Sequence, residues 1–275
     1  MRPLILLLLA ASAVSVLGCQ ESGFDERKET ARPLKVQHVL GETKVPGQAE
    51  APLTLTVDSL DDTVALGVRP VRAAVPGLRL PGYLREPASG IALMEPVRER
   101  SDLPAVEAIH PDLIVGSDSG QGRFFEGLSA IAPTVMTEGG SGQWKLNLRL
   151  VGEALGRTNE AEALLTRYDR WVAAARRSVQ PNTRVAVARQ TEAGLRFATR
   201  ESFAGTLLAD AGVKQVERPG SADLVLIAAP AGGSAARPAG IRGRVARVDA
   251  ATWWGPGGIL QAQAALEDLQ GAVHR

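Results

Sequence analysis

NEAEALLTRYDRWVAAARR, residues Asn159 to Arg177, decides how the rest of the chain is read. Ala161, Leu164, Leu165, Tyr168, Trp171 and Val172 recur at helical intervals and make one apolar face. Asn159 followed by Glu162 has the capping-box pattern of a helix start. Roughly twenty residues of helix span about 30 Å. Trp144, Leu148, Val151 and Leu155 form a shorter helical pattern just upstream, ending at Gly156. An amphipathic helix of this length is common on protein surfaces. Its position between two strand–helix patterns makes this one read as a bridge.

On the N-terminal side, Leu53 to Val57 alternates as a strand, and Leu60 to Leu66 has helical spacing that stops at Gly67. Val68 to Val71 reads as a short extended piece, and Pro76 to Gly90 as a surface loop. Leu103 to Ile109 and Arg123 to Ile131 read as helices. Asp112 to Val115 and Pro133 to Met136 read as buried strands of a parallel sheet. On the C-terminal side, Val185 to Arg189, Leu195 to Ala198, Asp223 to Ala228 and Val245 to Val248 read as strands. Helices are expected at Phe203 to Ala211 and Ile259 to Leu269. The expected fold is α/β: two Rossmann-like lobes bridged by a single long α-helix, with a ligand cleft between them. Boundaries follow at 48–142 for the first lobe, 143–180 for the bridging helices and 181–275 for a shortened second lobe.

Before residue 48 the composition changes. Arg2, the apolar run Pro3 to Leu17 and the small residue Gly18 have the layout of a secretory signal over residues 1–18. The run is too short to span a bilayer, which takes about 20 apolar residues. Val16-Leu17-Gly18-Cys19 resembles the bacterial lipobox, which makes Cys19 the expected lipid attachment; an ordinary cleaved signal is the other reading. Polar residues 19–47 read as lipid attachment and tether. The chain is therefore expected to be exported and lipid-anchored to the membrane.

Across 275 residues the formal charge is only +1, which excludes a broad basic surface for nucleic acid. A single cysteine leaves no internal disulfide, so core packing must stabilise the fold. Enzymatic motifs fail on inspection. Gly116-Ser-Asp-Ser-Gly120 has Asp118 where a nucleophile elbow needs serine. His38, His110 and His274 have no paired spacing with carboxylates, so no metal cage is expected. A Walker-type phosphate loop is missing too. The expected activity is binding, without catalysis and without a directly bound cofactor.

Open α/β sheets bind ligands beyond the carboxyl ends of their strands. That rule selects Asp58, Ser59, Ser117, Asp118 and Ser119 from the first half, and Arg189 and the Trp253–Trp254 loop from the second. In the strand Val185 to Arg189, alternation puts Arg189 on the face of Val185 and Val187, emerging at the rim. A solvated strand-end arginine is an equal reading of Arg189, and Arg196 has the same two readings. Arg123 at a helix start is a further candidate for the cleft.

Several stretches resemble the substrate-binding lipoproteins of iron–siderophore ABC transporters. In order they are HVLGETKVPG (His38–Gly47), VDSLDDTVALGVRPV (Val57–Val71), PGYLREPASGI (Pro81–Ile91) and AIHPDLIVGS (Ala108–Ser117). LSAIAPTVMTE (Leu128–Glu138), WKLNLRLVGEALGRTNEAEALL (Trp144–Leu165), SFAGTLLADAGV (Ser202–Val213) and WWGPGGILQAQAALEDL (Trp253–Leu269) continue the order. The resemblance implies a ferric siderophore held between the lobes by Arg189, Arg196 and Trp253; Arg123, Ser117, Asp58 and Tyr83 are the further expected ligand-binding residues. Iron would be coordinated only by the siderophore, and an ABC permease would receive it from a monomeric carrier. Cobalamin or haem carriage, or a sensor role without transport, are the alternatives it leaves. Gly120 stands where relatives often carry an arginine, and Pro104 where they carry a permease-docking glutamate.

Overall fold

The computed structural model describes residues 32–140, 142–192, 194–230 and 240–274. The signal segment and Cys19 lie outside them. The chain enters as an antiparallel hairpin of β1 (Leu34–His38) and β2 (Gly41–Val45), in register from Leu34 opposite Val45 to His38 opposite Gly41. This corrects the tether reading for that stretch. Val36 and Val45 alone face inward and are buried in the main core. Thr43 donates its hydroxyl to Thr134 O at 2.8 Å, and His38 meets the edge of Phe125. A hairpin with one buried residue per strand is mostly polar in sequence, which is why it looked like a linker.

The first lobe runs through β3 (Pro52–Thr54), α1 (Val57–Ala65), β4 (Arg72–Ala74), β5 (Leu93–Met94), α2 (Leu103–Glu107), β6 (Leu113–Ser117), α3 (Asp118–Gln121), α4 (Phe125–Ile131) and β7 (Thr134–Thr137). Its five strands are all parallel and lie in the order β5-β4-β3-β6-β7. The order reverses between β3 and β6, so the crevice beyond their carboxyl ends is the natural ligand position. β3 ends earlier than the alternation suggested because Thr56 caps α1 in a capping box with Ser59. Asp58 and Ser59 therefore lie in the first helical turn rather than in a loop. Gly67, at φ 77°, ends the helix run as expected.

Two helices follow, α5 (Trp144–Ala154) and α6 (Thr158–Ser178), the second being the long bridge. α6 begins before Asn159, because Gly156 turns left-handed at φ 68° and the next residue but one is already helical. Asn159 is thus inside the first turn and caps nothing, while Glu162 pairs with Arg149 of α5 at 2.6 Å. The buried Trp144 ring meets Tyr168 and Phe203 edge-on at 4.8 and 6.1 Å between centroids. Bridge and second lobe are therefore joined by an aromatic cluster.

The second lobe contains β8 (Arg184–Thr191), β9 (Gly194–Phe197), α7 (Phe203–Asp210), β10 (Lys214–Gln215), β11 (Leu224–Ala229), β12 (Arg244–Asp249), α8 (Ala250–Trp253) and α9 (Ile259–His274). Its order is β10-β8-β11-β12, parallel throughout, with β9 antiparallel to the end of β8. Val185, Val187, Leu224 and Leu226 face the bridge, whereas Ala186, Ala188, Val225 and Ile227 form a separate outer cluster. This period-2 split is what a strand buried on both faces requires. Between β10 and β11 there is only a 3-10 turn at Pro219–Ser221.

Candidate ligand-binding cleft

The strand ends of the first sheet and the β9–α7 and α8–α9 segments of the second lobe border one cleft. The first-lobe wall is a recess of about 450 Å³ lined by Thr56, Asp58, Arg98, Ser117, Gln121 and Arg123, among others. The second-lobe wall is a recess of about 460 Å³ that includes Arg196, Glu201, Ser202, Trp253 and Trp254. Pro256 lines both, so the two recesses are halves of one depression. Its depth comes from strand ends, which leave capping side chains and loop backbone exposed where the sheets stop.

On the first-lobe wall, Asp58 and Ser117 are both buried. Burial raises the Asp58 carboxyl above its ordinary range, and the Thr56 hydroxyl and the amides of Asp58 and Ser59 act against that shift. Ser117 Oγ lies 3.2 Å from Ser119 Oγ. Arg123 is anchored by donating to Arg98 O and by lying 4.7 Å from the centroid of the Phe124 ring. Arg98 lies on an irregular segment after β5, so neither periodicity nor a strand end could single it out.

The second-lobe wall carries the unusual arrangement. β8 and β9 are paired so that Arg189 and Arg196 stand directly opposite each other. Like charges at opposed positions are unfavourable. Neither arginine has a carboxylate partner among the described residues. Arg189 lies 5.2 Å from the centroid of the Trp254 ring and Arg196 is exposed on the wall. Such a pair is suited to an anion, because two guanidinium forks can share one set of carboxylate or phenolate oxygens. Exposed Glu201 is the acid on the same wall.

Two candidates are placed differently, one buried beneath this wall and one bordering another recess. Trp253 is 1% exposed and donates its indole N–H to Asp268 at 3.1 Å, so it forms the floor under the recess. Its neighbour Trp254, half-buried, is the aromatic that meets the arginine. α8 is a single turn, and consecutive residues on it face different ways. Tyr83 lies in a 3-10 turn packed on α9 and donates to Gln261 Oε1 at 3.3 Å. It borders a separate recess with Arg247, Asp249 and Glu267. No group of three or more His, Cys, Asp or Glu able to hold a metal occurs among the described residues.

Residues 98–225, from the first-lobe wall through the bridge to β11, match the family described as "Periplasmic binding protein". Two lobes bordering one cleft and a long bridging helix agree with that match. Over that stretch the chain is similar to the periplasmic binding proteins. Among curated periplasmic binding proteins and their relatives, it is 27% identical over 220 residues to "Probable siderophore-binding lipoprotein YfiY" of Bacillus subtilis, covering 78% of this chain and 67% of that protein. It is 28% identical over 119 residues to "Fe(3+) dicitrate-binding periplasmic protein FecB" of Escherichia coli, covering 42% and 40% of the two chains. The crystal structure of Staphylococcus aureus SirA complexed with staphyloferrin B superposes with a TM-score of 0.73 at 24% identity, covering 88% of this chain and 98% of that one. At that identity the superposition shows the fold.

Proposed function

We propose that this chain is a periplasmic binding protein that captures a ferric siderophore, or a similar anionic iron chelate, and presents it to an ABC permease. The observation that carries the reading is the opposed Arg189–Arg196 pair beside Trp254, with no acid partner among the described residues. Guanidinium forks would take the chelate's carboxylate or phenolate oxygens, and Trp254 would cover an apolar part. Arg123 and Arg98 on the facing wall would add positive potential as the lobes close. The iron would arrive already coordinated by the siderophore, so the protein needs no ligand set of its own and no catalytic group. The names of the curated relatives, siderophore- and ferric dicitrate-binding proteins, support the same class of cargo.

Tryptophan fluorescence against ferric siderophores, ferric citrate, haem and cobalamin tests the reading. Tightest binding is expected from an anionic ferric chelate; binding of none, or of cobalamin alone, would overturn it. Among the described residues no helix is long and apolar enough to cross a membrane. We assign membrane retention to lipid on Cys19, where a diacylglycerol supplies the two chains that stable anchoring takes. Cys19→Ser should abolish lipid labelling and move the protein to the soluble fraction. Continued membrane retention of that variant would remove the assignment.

A further inference from the structure

Beneath the cleft, α1 of the first lobe meets the start of α9. Leu260 N donates to Asp61 Oδ1 at 2.8 Å and Gln261 N to Asp61 Oδ2 at 2.9 Å. Ile259 N donates to Asp62 Oδ1 at 3.2 Å. The opening amides of a helix have no acceptor within it and need one from outside. Gly257 and Gly258 precede α9 and have no side chain to offer, so the acceptors come from the other lobe. The approach is close: a Cβ at Gly258 would lie 2.4 Å from Asp61 Cγ. Asp61 and Asp62 are 0% and 1% exposed, so water cannot replace these bonds without opening the joint.

The joint is wired to the cleft wall. Gln261, fully buried, donates to Thr252 O at 2.9 Å and accepts from Gly257 N at 3.2 Å. It thereby closes the segment from Thr252 to Gly257, which carries Trp254 and Pro256. Tyr83 of the first lobe donates to the same Gln261 oxygen. We propose that Asp61 and Asp62 form an interlobe pivot, a second link beside α6, that sets the angle between the lobes and holds Trp254 and Pro256 on the cleft wall. They are positioning residues and touch no ligand. The consequence for capture rests on reading this cleft as the binding site; the pivot itself does not.

The test therefore uses no ligand. Asp61→Asn keeps the size of the side chain but leaves only one oxygen to accept. Gly258→Ala pushes a methyl group against Asp61 while keeping the carboxylate. Backbone hydrogen exchange is followed at 259–261, and the interlobe distance by spin labels at Arg100→Cys and Glu192→Cys in a Cys19→Ser background. Both variants are expected to speed exchange at Leu260 and Gln261 by at least about tenfold, as local opening does. β6 should stay protected, and the distance distribution should shift or broaden. Faster exchange with an unchanged distance distribution would reduce the feature to a helix cap and overturn the pivot. So would unchanged exchange in both variants, or loss of protection spread evenly to β6.

Discussion

Replacing Arg196 by alanine separates a ligand-binding arginine from a structural one by the sign of two effects. In the ligand-free protein Arg196 is exposed, opposes Arg189 across β8–β9 and has no acid partner among the described residues. A like-charge opposed pair costs about 0.2–1 kcal/mol, and exposure places this one toward the low end. Arg196→Ala should therefore leave Tm unchanged or raise it by up to about 2–4 °C, at the usual 2–4 °C per kcal/mol for a chain of this size. With an anionic chelate bound, the same side chain would supply one or two charge-assisted hydrogen bonds of about 1.5–3 kcal/mol. Losing one such bond weakens binding by roughly 10- to 150-fold, since about 1.4 kcal/mol is a factor of ten. Calorimetric titration with ferric citrate and a ferric catecholate, alongside thermal unfolding of the free protein, measures both. Affinity should also fall more steeply with salt in the wild type than in the variant. Arg189→Ala is the control that should behave differently. It loses its contact with Trp254, worth about 0.5–1 kcal/mol, so its Tm should not rise. A lower Tm for Arg196→Ala with undiminished affinity for every anionic chelate would refute the reasoning.

Two further outcomes follow from the described contacts. Asp210 Oδ2 accepts from Lys145 Nζ at 2.6 Å and from the buried Tyr168 hydroxyl at 2.7 Å, joining α5, α6 and α7. Asp210→Ala strands the buried Tyr168 hydroxyl at a cost of about 1–3 kcal/mol, so Tm should drop by roughly 2–12 °C, and a change under 1 °C would deny the cluster that role. Burial lifts the Asp61 carboxyl to about 7 against the pull of the Leu260 and Gln261 amides, and burial together with the charges of Asp61 and Asp58 lifts Asp62 well above its ordinary value. Burial, and after it the negative charges of Asp61, Asp58, Asp62 and Asp249, also raise the Tyr83 hydroxyl. An acid whose folded pKa is raised binds more protons folded than unfolded, so stability falls as pH rises from about 4 to 7. Tm should be higher at pH 5 than at pH 8, and Asp61→Asn should flatten that slope. Exposed Asp223, lowered to about 2 chiefly by its hydrogen bond to Arg184, acts in the opposite sense only below about pH 4. A Tm that climbs from pH 5 to 8 would contradict the assignment.

Much of the architecture was legible because its signals are local. The apolar run at β6, the alternation at β8 and the helical face of α6 each follow from residues within a few positions of one another. The short strands β4, β5 and β10 were missed, since two or three residues carry no period. The hairpin was missed because its two buried valines are few among polar neighbours. At the cleft, strand ends pointed to Asp58, Ser117 and Arg189, because a sheet must stop somewhere and its switch point leaves a crevice. Which of two adjacent tryptophans faces that crevice was beyond such reasoning. It depends on the rotation of one helical turn against α9, which leaves Trp253 bonded to Asp268 and Trp254 beside Arg189.

By itself, then, the sequence determined the α/β class, the two-lobed plan around a long bridging helix, and the family that the chain resembles. These depend on periodicities and motif order, which survive without knowledge of long-range contacts. Only the tertiary structure decided that Arg189 and Arg196 stand opposite each other, because strand register is set by pairing and core burial together. It also decided the partners of Asp61 and Asp62, which look like polar positions on an amphipathic helix. Asp62 and Ile259 are 197 positions apart, and a buried carboxylate finds the start of a distant helix only when the whole chain has closed around it.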